Sequence, residues 1–155
     1  MLVDRDEELA RFDHLCGAVA SGGGATVVVE GVAGIGKTAL LMSVLARTAG
    51  RLEPLTARGG ELEHELAFSI VRQLFEAPLS RRPVAELRVL FAEAAGLAAP
   101  VFGGLGTITG SPSPAPYGPS ESNMGSVVHG LYWLCANLAT RKPLRLIVDD
   151  VHWAD

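Results

Sequence analysis

The sequence predicts an α/β protein, a parallel sheet with helices on both faces in three layers. Three observations predict it. A short β-branched run, Ala25 to Glu30 (ATVVVE), leads into a glycine-rich loop, and apolar residues at helical spacing begin where the loop ends. A second mostly apolar run, Leu144 to Val148, ends in the acid pair Asp149-Asp150. Between these runs, strand-like and helix-like segments alternate.

The loop is Gly31-Val32-Ala33-Gly34-Ile35-Gly36-Lys37-Thr38, with Ala39 following. It fits the phosphate-binding pattern G-x-x-x-x-G-K-[ST] at each fixed position. Glycines let backbone N–H groups turn inward around phosphates. Leu40, Leu41, Val44 and Leu45 recur at helical spacing, so a helix opens at the lysine and adds free N–H donors and a favourable dipole. Gly31 to Ala39 is thus the expected nucleotide-binding stretch. Lys37 supplies a compact cation for the β- and γ-phosphates, and the Thr38 hydroxyl is an expected Mg²⁺ ligand. An ordinary glycine turn before a helix can fit the same pattern. The flanking strand and helix, and the second motif, favour the phosphate reading.

That second motif, Leu144-Arg145-Leu146-Ile147-Val148-Asp149-Asp150, has the form of a Walker B element. An acid at the C-terminal end of a parallel strand sits at the rim where ligands bind in open α/β sheets. Asp149 is the expected Mg²⁺ residue, directly or through water. Asp150 falls where many ATPases place the carboxylate that orients or deprotonates the attacking water. Asp150 and Lys37 are therefore the expected catalytic pair, and ATP and Mg²⁺ the expected ligands.

The 155 residues suit one domain, with a formal charge of −4. Of the basic residues only Lys37 and Lys142 are lysines, and no arginine cluster exceeds the pair Arg81-Arg82. That balance argues against a nucleic-acid surface, which needs a basic stripe. No apolar run is long enough to span a bilayer. The acidic start, MLVDRDEEL, is unlike a signal peptide, so a cytoplasmic protein is the expectation. Cys16 and Cys135 fall among apolar neighbours in expected helices and read as buried small hydrophobes. The four histidines show no metal-ligand spacing.

Along the chain, Arg5 to Ala20 reads as a helix with Leu9, Phe12, Leu15, Cys16 and Val19 on one face, Asp4 as its N-cap and Glu7 completing a capping box. Ser21 to Gly24 breaks it. Gly50 ends the helix after the loop. Arg51 to Ala57 reads as a second strand, made irregular or an edge by Pro54. Glu61 to Ala77 is a strongly amphipathic helix that Pro78 is expected to stop. Pro83 opens another, carrying Val84, Leu87, Leu90 and Phe91 inward. Residues 98–122, rich in Gly, Pro and Ser, read as a flexible surface loop, with a functional lid as the alternative. Asn123 to Thr140 returns to helix, with Val127, Leu131, Leu134, Cys135 and Leu138 on one face.

Several of these segments together resemble the STAND-class ATPases. Val3-Asp4-Arg5-Asp6, with Glu8 and Leu9, is similar to their N-terminal G-R-x-x-E-L signature, although Asp4 stands where that signature has glycine. The phosphate loop is similar to their G-x-A-G-I-G-K-T. Ala57-Arg58-Gly59-Gly60-Glu61-Leu62-Glu63, followed by Phe68 and Val71-Arg72-Gln73-Leu74-Phe75, resembles the segment after their second strand. Val148-Asp149-Asp150-Val151-His152-Trp153-Ala154-Asp155 resembles their D-D-x-H-W-A-D extension. The large ATP-binding LuxR-type bacterial transcription regulators are the best fit. The likeness covers nearly the whole chain, and its R-G-G-E-L-E and H-W-A-D stretches are more specific than the loop.

The resemblance implies a P-loop ATPase domain of AAA-like, STAND type, of which residues 1–155 are the N-terminal part. It implies that Arg5 lies near the nucleotide. Within the H-W-A-D stretch, packing of Trp153 under the nucleotide site is the leading reading, and a γ-phosphate sensor role for His152 is the alternative. It also implies strand order 5-1-4-3-2, so the P-loop strand would lack its neighbours in these residues and the sheet would be incomplete. The implied function is an ATP-binding, slowly hydrolysing switch of a transcription regulator. In the full-length protein it would exchange ATP and ADP, self-associate, and contact DNA only through a C-terminal domain outside this chain, with no membrane involvement. Asp150, shorter than glutamate by one methylene, suits a timer better than a motor. The alternatives are an ATPase module of another signalling enzyme and a truncated product with little activity.

Overall fold

The computed structural model of the chain describes residues 5–60, 68–103 and 123–153. The chain divides into two compact units, residues 1–54 and 55–155.

In the first unit, helix α1 (Asp6–Ala20) carries Asp6, Glu7 and Glu8 in its first turn, where negative charge complements the dipole. Arg5 occupies its N-cap position and makes no side-chain cap. Asp4, the expected cap, lies outside the described residues. The chain leaves α1 through Gly22, whose φ of +90° is open to glycine alone at little strain. Helix α2 (Lys37–Arg47) buries Leu40 and Val44 and packs on α1. The two helices are joined by an ion pair between Arg47 and Asp13. The Arg47 hydrogen bond holds the Asp13 carboxyl below the usual carboxylate range. The pair's contribution is therefore present above that range and is lost as pH falls through the lowered value.

The strand expected over Ala25 to Glu30 is not formed. These residues take no regular structure and are largely exposed, Val28 at 72%. β-branched composition favours an extended chain, but a strand exists only through pairing. Among the described residues no strand pairs with this segment.

In the second unit, β1 (Glu53–Arg58, its first two residues at the unit boundary) and β2 (Leu144–Asp149) form a two-stranded parallel sheet. Their C-terminal ends meet, where Gly59 N–H donates to the Asp149 carbonyl at 2.9 Å. Leu55 and Ala57 are buried and Pro54, Thr56 and Arg58 exposed, the period of a one-face strand. Helices α3 (Ser69–Ser80), α4 (Val84–Leu90) and α5 (Met124–Ala139), with a 3₁₀ segment over Glu93–Phe102, close the core around it. At its centre Phe102 meets Phe75 and Phe91 edge to face, at centroid distances of 6.0 and 5.8 Å. Glu86 accepts from Arg82 and from Arg141, tying α4 to the end of α5.

Three expectations change here. Pro78 does not stop α3, which runs on to Ser80. Proline removes one bond of the ladder, and burial of Leu79 at 1% exposure anchors the last turn in the core. Residues 61–67 of that helix lie outside the described residues. Val84 is not turned inward but is 48% exposed, while Leu87, Leu90 and Phe91 are buried. The start of the expected loop is core: Ala98 and Ala99 are fully buried, with Val101 and Phe102. Small alanines let this segment lie flat against α5, a close approach that composition does not reveal. The rest of that loop, 104–122, lies outside the described residues.

The closest point of that approach is Gly130. A Cβ there would sit 2.5 Å from the Ala98 backbone nitrogen and 2.8 Å from the Leu97 carbonyl carbon. Gly130→Ala gains about 1 kcal/mol of helix propensity but forces backbone apart, at about 1–3 kcal/mol. A lowered melting temperature is expected. An unchanged or raised one in a thermal melt would show that the 3₁₀ segment yields freely.

Candidate functional site

Gly31 to Thr38 forms a loop of turns and bends ending on α2. Gly34 and Gly36 stand at φ +79° and +94°, with Gly36 the left-handed N-cap of the helix. A β-carbon would strain both, which explains glycine at these two positions. Lys37 is the first residue of α2. Its Nζ donates to the carbonyls of Gly31 (2.8 Å) and Val32 (3.2 Å), so the ammonium spans the loop on the loop's own oxygens. Thr38 and Ala39 follow on the exposed first turn, and Val32 and Ile35 are exposed at 73% and 48%.

Arg5 reaches this loop across thirty positions of sequence: its Nη2 donates to the Ile35 carbonyl at 3.3 Å. Its Nη1 pairs with Glu8 Oε1 at 2.6 Å. The Arg5 hydrogen bond holds the Glu8 carboxyl below the usual carboxylate range. Beside the loop lies a cleft of about 580 Å³. Arg5 and, on α1, Glu8, Arg11, Phe12 and Leu15 line it, together with Thr26 to Glu30 and with Ile35, Gly36, Lys37 and Leu40. Its size suits a small molecule, and its charged rim is basic except for Glu8 and Glu30.

Asp149 and Asp150 lie in the second unit, at the end of β2. Asp150 has a φ of +51°, uncommon for a residue with a β-carbon. Its N–H donates to Asp149 Oδ1 at 3.1 Å, and its carbonyl accepts from Trp153 N–H at 3.0 Å. Arg58, at the end of β1, donates to Asp150 Oδ2 from Nε (3.0 Å) and Nη2 (2.9 Å). The Gln73 side chain of α3 in turn clasps the Arg58 backbone: its Oε1 accepts from Arg58 N–H (3.0 Å) and its Nε2 donates to the Arg58 carbonyl (3.1 Å). Gly59 is buried against this corner, and a Cβ on it would overlap the Asp150 carbonyl oxygen and lie 3.0 Å from Trp153 Cβ.

Reading along the sequence did not find Arg58, Gly59 or Gln73 as site residues. Their signal lay in the R-G-G and V-R-Q-L-F stretches, which the structure brings to the acid pair. His152 is exposed, its ring tilted at 44° to the Trp153 ring with centroids 5.1 Å apart. Among the described residues no group of three or more His, Cys, Asp or Glu is placed to hold a metal by itself, and no helix is long and apolar enough to cross a membrane.

The family model of an AAA ATPase domain matches residues 1–155. Neither the curated proteins nor the solved structures give a match.

Proposed function

This chain belongs to the AAA ATPase domain family, and from that membership we propose that it binds Mg-ATP on Gly31 to Ala39 and hydrolyses it slowly. The observation that carries the reading is the Lys37 ammonium at the head of α2, seated on two loop carbonyls. A polyphosphate would exchange those neutral acceptors for anionic ones, which make stronger bonds with an ammonium. The N–H groups of the loop and of the first turn of α2 would take the remaining phosphate oxygens. Arg5, on the loop and in the cleft, would face the nucleotide from α1.

Thr38 and Asp149 offer a hydroxyl and a carboxylate, the hard oxygen donors that suit Mg²⁺. An ion held by few protein ligands and by phosphate needs no cluster of acids, as in other P-loop sites. The ion would supply charge neutralisation between the phosphates. Asp150 would accept the proton of the attacking water, and Lys37 would hold the charge that builds on the phosphates.

In the same reading the domain is the nucleotide-dependent switch of a cytoplasmic, LuxR-type transcription regulator of the STAND class. The full three-layer sheet, self-association, and DNA contact through a C-terminal domain belong to that full-length protein. Support comes from Arg58-Gly59 and Trp153, which belong to the two most subclass-specific stretches and meet at the ends of β1 and β2.

The test is a titration of the full chain with labelled ATP, with and without Mg²⁺. Saturable, Mg²⁺-enhanced binding is expected, and Asp149→Asn should remove the Mg²⁺-dependent part alone. Binding that ignores Mg²⁺ would overturn the metal assignment, and no binding would overturn the whole.

A further inference from the structure

We propose that Arg58 is a positioning residue for ATP hydrolysis, fixing the Asp150 carboxylate, and that Gln73 holds Arg58 in place. The proposal rests on the reading of Asp150 as the group that serves the attacking water.

Two hydrogen bonds hold the Asp150 carboxylate, and the backbone that carries it is held as well. The Asp150 backbone stands in the left-handed region at φ +51°, where a residue with a β-carbon persists only if its surroundings hold it. Gly59 supplies part of that hold: its N–H takes the neighbouring Asp149 carbonyl, and its missing side chain admits the Asp150 carbonyl and Trp153. Trp153 N–H closes the turn on the Asp150 carbonyl at 3.0 Å. The side chain is then set by Arg58, whose Nε and Nη2 both bond Oδ2. A planar guanidinium gripping one oxygen with two nitrogens fixes the rotation of the carboxylate as well as its place. Oδ1 is left as the oxygen to receive a proton.

Arg58 is itself exposed at 69% of its side chain, so the pair contributes little to folding. What makes the contact specific is the clasp behind it. Gln73 satisfies both the N–H and the carbonyl of Arg58, as a further strand would, and thereby locks the backbone from which the guanidinium reaches. Gln73 sits on α3, whose neighbours Leu74 and Phe75 are buried in the core, so the carboxylate is referenced to the core through Arg58. Misplacing a catalytic group by about 1 Å costs about a hundredfold in rate, which gives this chain of contacts a kinetic readout.

The experiment measures ATP affinity and single-turnover hydrolysis separately on the full chain with Mg²⁺. Arg58→Ala should lower the hydrolysis rate by about ten- to a hundredfold and leave affinity unchanged. Arg58→Lys should recover only part, because one ammonium does not reproduce the two-nitrogen grip. It also carries the test should the alanine variant melt early. Gln73→Ala should show a smaller fall of the same kind. In an Asp150→Asn background Arg58→Ala should cost nothing further, since its effect passes through Asp150. An Arg58→Ala rate equal to or above the parent's, or an undiminished effect in the Asp150→Asn background, would overturn the proposal. If Asp150→Asn itself hydrolyses at the parent rate, the reading of Asp150 fails first. A slow Asp150→Asn beside a fast Arg58→Ala sinks the positioning role alone.

Discussion

Lys37→Ala is expected to abolish Mg-ATP binding. Lys37 Nζ makes two hydrogen bonds in the loop, and in the proposed complex both would pass to phosphate oxygens. A hydrogen bond to a charged group contributes about 1.5–3 kcal/mol, so losing two predicts an affinity drop of at least about a hundredfold. No neighbouring lysine can substitute, since the other one in the chain is Lys142. The fold should survive, because the ammonium's own bonds are solvent-exposed side chain to backbone contacts. Titration with labelled ATP, beside a melting curve of the same variant, checks both halves. Parent-like affinity would remove the phosphate role of the loop.

The second large effect is expected on turnover. Asp150→Asn should bind Mg-ATP as the parent does and hydrolyse it about 10²–10⁴ times more slowly, the usual contribution of a positioned general base. Asparagine keeps the shape of the side chain and one oxygen for Arg58, but it cannot take a proton at neutral pH. The loop proposed to bind ATP lies in the other unit of the chain, so affinity serves as the internal control. Single-turnover hydrolysis on saturated protein is the measurement. A parent-like rate would show that another group serves the water.

What could be read in the sequence was what depends on local pattern. The apolar periodicity of α1, α2 and α5 located them to within a residue or two, and the acid pair ended β2 as expected. Glycines at 34 and 36 announced the positive φ values of the loop. Where an element depends on a distant partner, local pattern failed. Val27 to Val29 carry strand propensity, yet a strand needs a neighbour, and none pairs with them among the described residues. Ala98 and Ala99 sit in a stretch whose composition reads as loop, yet both are buried, and the absence of a side chain on Gly130 makes room for the backbone at Leu97 and Ala98. The candidate functional residues divided the same way. Lys37 and Asp149-Asp150 follow from motifs, whereas Arg58 meets Asp150 across 92 positions, a separation over which periodicity carries no information.

Given the proposed role of Asp150, its left-handed backbone sets activity against durability. Glycine and asparagine adopt that conformation more readily than aspartate, without an anionic side chain to accommodate. Selection for a sturdier fold alone would therefore drift toward either, and consensus-style stabilisation of this domain would be drawn to the same substitution. Each would relax the turn and silence the carboxylate together, the exchange of function for stability that strained sites impose. An engineer seeking a hardier version of this domain should leave position 150 alone and look instead to solvent-facing positions such as Val89 and Met42, exposed at 68% and 60%.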